Sequence, residues 1–176
     1  MKIVAVLDNV RSVHNVGSIF RTADAVGAEK IYCCGITPGP LDRFGIVRAD
    51  FAKVALGAER SVEWEAGGNT VPKSVTVVLH ALKKDGWLIF AVEQMQGSIP
   101  YYEWQVNQVA GCVGGLDRAG VSPKIALILG AEVAGVSPEA LALSDAILEI
   151  PMRGKKESLN VAVAFGIVAY GLRYPN

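Results

Sequence analysis

The amino-acid sequence predicts an α/β fold, a mainly parallel sheet flanked by helices on both faces, with residues 1–176 forming a single domain. Three observations carry that prediction. Short continuous apolar runs recur at Ile3 to Leu7, Ile31 to Cys34, Trp87 to Val92 and Ile125 to Leu129, as strands buried on both faces require, and Ala146 to Ile150 reads as a last strand. Segments with apolar residues at helical spacing stand between them, and strand–helix–strand units build parallel sheets. The loops beginning at Glu93, Gly130 and Pro151 each follow a strand end, and ligands of open parallel sheets gather outside those carboxyl ends.

The elements follow in order. Ile3 to Leu7 ends at Asp8-Asn9, a turn-forming pair. A helix runs from Asn15, with Ile19, Ala23 and Val26 on one face and Gly27 as its stop. After the Ile31 strand, the loop from Gly35 to Pro40 interrupts the chain. Val47, Phe51, Val54 and Ala55 then keep helical spacing, and Ser61 to Glu65 alternates as a short strand does. Thr70 to Lys84 predicts a helix whose stripe is Val71, Val75, Val78, Leu79 and Leu82. Lys83 and Lys84 suit its C-terminal dipole, and Gly86 closes it. From Glu93 to Lys124, Gly111, Gly114, Gly115 and Gly120 disfavour long regular elements, and the segment from Gly111 to Gly120 reads as an insertion or a substrate lip. Ser137-Pro138-Glu139 opens a helix with proline at its first position. Ser158 to Arg173 reads as a final helix, apolar nearly all round and therefore buried.

Composition narrows the function classes. Lysine and arginine together number 17 and so do aspartate and glutamate, so any nucleic-acid contact must use a local patch. Cys33, Cys34 and Cys112 form neither a CxxC pair nor a paired framework, as expected of free thiols in a reducing compartment. The N-terminal apolar run is too short for a signal peptide, and Leu159 to Leu172 is too short to cross a bilayer; the expectation is a cytoplasmic protein with no membrane partner. The high apolar content leaves surface for a homodimer contact.

Familiar nucleotide motifs fail on particular residues. Gly130-x4-Gly135-Val136-Ser137 imitates a phosphate-binding loop, but Val136 stands where the phosphate lysine must be. No G-x-G-x-x-G follows the first strand, and no G-x-S-x-G elbow is present. His14, abutting the first helix, and His80, within the Thr70 helix, have no metal-ligand partners at short spacing, so no metal is expected.

Polar residues at the openings of helices remain. Asn15 suits a helix cap and Arg21 a solvated charge; Glu132 lies in a loop just after a buried strand; Ser158 and Asn160 flank Leu159 at a helix start. Taken together they resemble one family. Asn15-x5-Arg21-Thr22-Ala23-Asp24, Leu129-Gly130-x-Glu132-x2-Gly135-x-Ser137 and Ile150-Pro151-Met152-x-Gly154-x3-Ser158-Leu159-Asn160-Val161-Ala162 look like the three ordered motifs of the SpoU/TrmH-type methyltransferases of the SPOUT superfamily. The three span most of the chain.

The resemblance implies an S-adenosylmethionine-dependent RNA methyltransferase acting on a ribose 2′-hydroxyl, with a deep trefoil knot over about residues 125–176. It implies cofactor contacts from Val92, Glu93, Leu129, Gly130, Ile150, Met152, Ser158 and Leu159. It places Arg21 at the 2′-hydroxyl, with Asn15, Glu132, Ser158 and Asn160 organising the site. Arginine stays protonated, so Arg21 is expected to orient and stabilise charge rather than act as a base. Members of the family are dimers in which one subunit's knot faces the other's first motif. Longer relatives add an N-terminal RNA-binding domain, whereas this chain is expected to begin with the catalytic core, and tRNA is favoured over rRNA. Arg11, Arg43, Arg48 and Lys53 are candidate phosphate contacts, with Arg60 nearby. A base methyltransferase on the same fold and a silent RNA- or cofactor-binding module stay open as alternatives.

Overall fold

The computed structural model describes residues 1–67, 73–104, 112–113, 116–117 and 122–175. Strand β1 (Lys2–Asp8) leads into helix α1 (Val13–Val26), then β2 (Lys30–Cys34), the short helices α2 (Ala49–Ala55) and α3 (Ala58–Ser61), and β3 (Glu63–Ala66). Helix α4 (Val75–Lys84), β4 (Leu88–Val92) and β5 (Ile99–Pro100) follow. A small antiparallel pair comes next, β6 (Cys112–Val113) with β7 (Leu116–Asp117). Then come β8 (Lys124–Leu129), α5 (Pro138–Ala142), β9 (Ala146–Glu149) and α6 (Val161–Arg173).

The main sheet has the order β3-β2-β1-β8-β4-β9-β5, and every pairing in it is parallel. Strand β1, interior to the sheet between β2 and β8, sorts its side chains by the period of two. Ile3, Ala5 and Leu7 join Ile19 and Phe20 of α1, Phe51 of α2 and Phe165 and Val168 of α6 on one face. Val4 and Val6 join Val78, Leu79 and Leu82 of α4 and Ala140 of α5 on the other. Each large apolar side chain buried this way contributes roughly 1.5–3 kcal/mol, so two covered faces explain why the strands read as unbroken apolar runs. The ends of α1 and α6 are tied by Arg173, whose guanidinium donates to the carbonyls of Val26 (3.2 Å), Gly27 (2.8 Å) and Met1. A cation there also suits the C-terminal end of the α1 dipole.

Several helix ends differ from the sequence reading, because caps decide ends. Helix α1 starts at Val13: Ser12 is its cap, accepting the Asn15 N–H, so Asn15 lies inside the first turn and exposed His14 belongs to the helix. Gly27 closes it in the left-handed conformation, as expected. Helix α4 starts at Val75 after Ser74; residues 73 and 74 are outside it, and 70–72 lie outside the described residues. Helix α6 starts at Val161, because Asn160 rather than Ser158 caps it. Nor is α6 buried all round. Phe165, Val168, Ala169 and Leu172 are buried, while Val163 and Tyr170 are exposed by 50% and 41%. An apolar face of α6 is thus left uncovered by its own chain. The irregular stretch after β4 contributes β5, which pairs with β9 at the sheet edge. The expected lip from Gly111 to Gly120 lies outside the described residues except for the backbone of β6 and β7.

Candidate functional site

The carboxyl ends of β8, β4 and β9 deliver three loops to one edge of the sheet. After β8 the chain turns at residues 130–135, closed by a reciprocal pair: the Ala131 N–H donates to Gly135 O at 3.0 Å and the Gly135 N–H to Ala131 O at 2.9 Å. Gly130 has no room for a side chain, since a Cβ would stand 2.1 Å from the Gly135 carbonyl carbon and from the Val136 nitrogen. Two carboxylates at strand ends hold the next residues. Asp8, 1% exposed at the end of β1, accepts the Ser137 N–H at 2.9 Å, and Glu93, just past β4, accepts the Val136 N–H at 3.0 Å. By sequence Asp8 reads only as a strand end. A carboxylate closing an apolar strand was the signal available for it, because such a group needs donors once buried.

Two adjoining clefts open between these loops. One, of about 480 Å³, is lined by Val92, Glu93, Ile150, Met152, Ser158 and Leu159, with Gln94, Leu148, Glu149, Glu157 and Ala164 around them. The other, of about 430 Å³, shares Val92, Glu93, Ser158, Leu159 and Ala164, and adds the turn from Leu129 to Val133, Gly135, Asn160 and Val161. All eight positions expected to meet a cofactor therefore converge. Gln94, Glu149, Glu157 and Ala164 carried no signal: Gln94 and Glu149 lie at strand ends outside the motifs, Glu157 fills an unspecified position of the third motif, and Ala164 lies past it in α6.

A hydrogen-bonded network crosses the mouth of the second cleft. Glu132 accepts the N–H groups of Arg11 and Ser12 at 3.1 Å each, and the Asn15 side-chain amide at 2.9 Å. The Asn15 Oδ1 accepts from Asn160 Nδ2 at 3.0 Å, and Asn160 Oδ1 caps α6 by accepting from Ala162 and Val163. Burial opposes the charge on Glu132, but the Arg11 N–H, the Asn15 amide and the Ser12 N–H outweigh it and hold the carboxyl below the ordinary glutamate range. Three segments far apart in sequence, the α1 opening, the β8 turn and the α6 opening, are locked together by these side chains.

Residues 2–170 match the SpoU rRNA Methylase family. The chain belongs to the SpoU family. Among curated relatives, the 23S rRNA (guanosine-2′-O-)-methyltransferase RlmB of Ralstonia nicotianae is 30% identical over 96% of this chain and 57% of its own length. An AdoMet-bound rRNA methyltransferase from Sinorhizobium meliloti superposes with a TM-score of 0.77 at 26% identity, over 98% of this chain and 56% of that one. A structure described by its insights into 2-OH methylation of C/U34 on tRNA gives a TM-score of 0.69 at 25% identity, over 96% of this chain and 92% of that one. The chain thus spans little more than half of the first two.

Within this SpoU chain, Arg21 stands apart from the clefts. It lies on α1 with Ser18, Thr22 and Ala25, beside Val54 of α2 and Tyr170 of α6, around a separate groove of about 380 Å³. Ser158 lines both clefts and makes no cap. The expected phosphate contacts divide. Arg11 gives its N–H to Glu132 while its side chain is exposed; Lys53 is exposed on α2; Arg43 lies over the Phe44 ring, 4.7 Å from its centroid; Arg48 stands at the N-cap position of α2 without a side-chain capping bond. Arg60 lies 3.8 Å from Glu59. Among the described residues no group of three metal-ligating side chains gathers, and no helix is long and apolar enough to cross a membrane.

Proposed function

We propose that this chain is an S-adenosylmethionine-dependent methyltransferase that modifies a ribose 2′-hydroxyl of RNA, with tRNA favoured over rRNA. The observation that carries the reading is the convergence of the motif-two and motif-three loops on the paired clefts, beside the Glu132–Asn15–Asn160 network. The lining suits the cofactor: Val92, Leu129, Ile150 and Leu159 are apolar walls for a purine, and loop N–H groups with the Glu93, Glu149 and Glu157 carboxylates suit its polar, cationic end. The volumes fall in the range of about 300–1,000 Å³ usual for small-molecule sites. Bound there, S-adenosylmethionine supplies a methyl group activated on a sulfonium.

The protein's share is orientation. Glu132 and Asn15 fix the opening of α1, the helix that carries the first motif, and Asn160 ties that opening to the start of α6, so the ribose hydroxyl meets a preset geometry. Ser158 lies between the two clefts and holds the cofactor loop. Arg21 binds the RNA phosphate and steers the 2′-oxygen; its guanidinium offers hydrogen-bond donors and no acceptor, so it orients and stabilises charge and does not take the hydroxyl proton. Arg11, Arg43, Arg48 and Lys53 contact neighbouring phosphates.

Arg21 reaches a cofactor only across a homodimer, in which the uncovered face of α6 with Val163 and Tyr170 packs on a partner copy and one subunit's Arg21 completes the other's clefts. The segment from about 125 to 176 forms the trefoil knot, a reading supported by β9 entering beside β4 between β8 and the edge strand β5. Action on tRNA, favoured by the alignment over 92% of the tRNA-related structure, implies a cytoplasmic protein.

The test is transfer of labelled methyl from S-adenosylmethionine to unfractionated tRNA and rRNA, followed by digestion to nucleosides. A 2′-O-methyl nucleoside is expected, with near loss of transfer in Arg21→Ala at unchanged cofactor binding. A methylated base overturns the ribose assignment, cofactor binding without transfer overturns the enzyme reading, and full activity in Arg21→Ala overturns the site.

A further inference from the structure

The loop between β2 and α2 has a built tip at residues 41–47. Leu41 and Val47 close its foot as an antiparallel bridge. Asp42 folds it: its Oδ1 accepts the N–H of Phe44 at 2.8 Å and of Ile46 at 2.9 Å, its carbonyl accepts the Gly45 N–H at 3.1 Å, and its own N–H donates to Ile46 O at 2.8 Å. A tip so bonded is preformed. It nevertheless holds Phe44 out, 71% exposed, with the Arg43 guanidinium over the ring. At its foot, Arg48 has a buried Nε with no hydrogen-bond partner among the described residues. Apolar burial does not explain Phe44.

The tip is joined to the site. Thr37 Oγ accepts the Val10 N–H and donates to Leu7 O, both at 3.0 Å, and the Ile36 N–H donates to Asn9 Oδ1 at 3.2 Å, so the loop is fastened to the segment that presents Arg11 and Ser12 to Glu132. On its far side α2 packs Phe51 edge-on against Phe20 of α1 and places Val54 beside Arg21.

Resting on the methyltransferase reading, we infer that the Arg43–Phe44 pair is a stacking platform for an unpaired nucleobase of the RNA substrate. A nucleotide supplies what the tip lacks, a flat ring for the open aromatic face beside a cation. An aliphatic protein surface does not. Every base has a π face, so the platform adds affinity and register without choosing the base.

The experiment compares wild type with Phe44→Ala, Phe44→Leu and Phe44→Trp in equilibrium binding of unfractionated tRNA, with cofactor binding and oligomeric state measured in parallel. Phe44→Ala is expected to weaken tRNA binding roughly tenfold, in keeping with the loss of one base–aromatic stack, Phe44→Trp to restore it, and Phe44→Leu not to. Cofactor affinity, oligomeric state and melting temperature stay unchanged, because the side chain is exposed. Unaltered tRNA binding in Phe44→Ala, equal rescue by leucine, or a change of oligomeric state overturns the platform. Absence of tRNA binding by wild type instead overturns the tRNA reading on which the platform stands, so the two failures are distinct.

Discussion

Gly130→Ala puts the turn after β8 to a quantitative test. The added methyl would stand 2.1 Å from two backbone atoms, whereas carbon contacts are comfortable at about 3.5–4.0 Å, so the turn must open by more than about 1 Å. That opening breaks both hydrogen bonds between Ala131 and Gly135, now 3.0 and 2.9 Å. Two lost bonds cost about 2 kcal/mol and the backbone strain about 1–3 more, giving roughly 3–5 kcal/mol. A domain of this size loses about 2–4 °C of melting temperature per kcal/mol, so a fall on the order of 10 °C is expected in calorimetry. Because the same turn lines a cleft, S-adenosylmethionine affinity should drop at least tenfold by isothermal titration. Gly154→Ala is the control: it lies in the other motif loop, a Cβ there meets nothing within 4 Å, and both readouts should hold. If Gly130→Ala melts and binds like wild type, or Gly154→Ala fails equally, the account of this turn is wrong.

The network invites two further measurements. Asn160→Ala removes the cap of α6 and the tie to Asn15, at a cost of about 1 kcal/mol in urea unfolding; Asn160→Ser should recover the cap stability but not methyl transfer, and recovery of both would make Asn160 only a cap. Glu132 titrates below its ordinary range when folded, so its stabilisation is fully present above the unfolded-state value and is lost as pH falls through the lower folded value. The stability gap between wild type and Glu132→Gln should therefore hold down to about pH 5 and shrink toward about pH 3. A gap that stays constant over that range would show that the Glu132 charge plays no part.

The strands were legible because burial on both faces writes them as unbroken apolar runs; Ile3 to Leu7 and Ile125 to Leu129 fall within β1 and β8. The helix starts were less legible. Serine and asparagine cap equally well, and only the bonds made by Ser12 and Asn160 select them over Asn15 and Ser158. The cleft positions were readable through motif order, whereas Asp8 and Gln94, which carry no motif, were not.

By itself the sequence determined the α/β class, the ordered polar motifs and the failure of the phosphate-loop reading at Val136, because residue type and spacing are local properties. Tertiary structure alone decided that Gly130 admits no side chain while Gly154 does, that Glu132, Asn15 and Asn160 are one network, and that Arg21 faces a different groove. These are statements about which atoms meet, and parallel pairing brings together residues more than a hundred positions apart, a separation no local pattern encodes. The uncovered side of α6 belongs with them, since a near-continuous apolar helix reads the same whether its own chain or a second copy covers it.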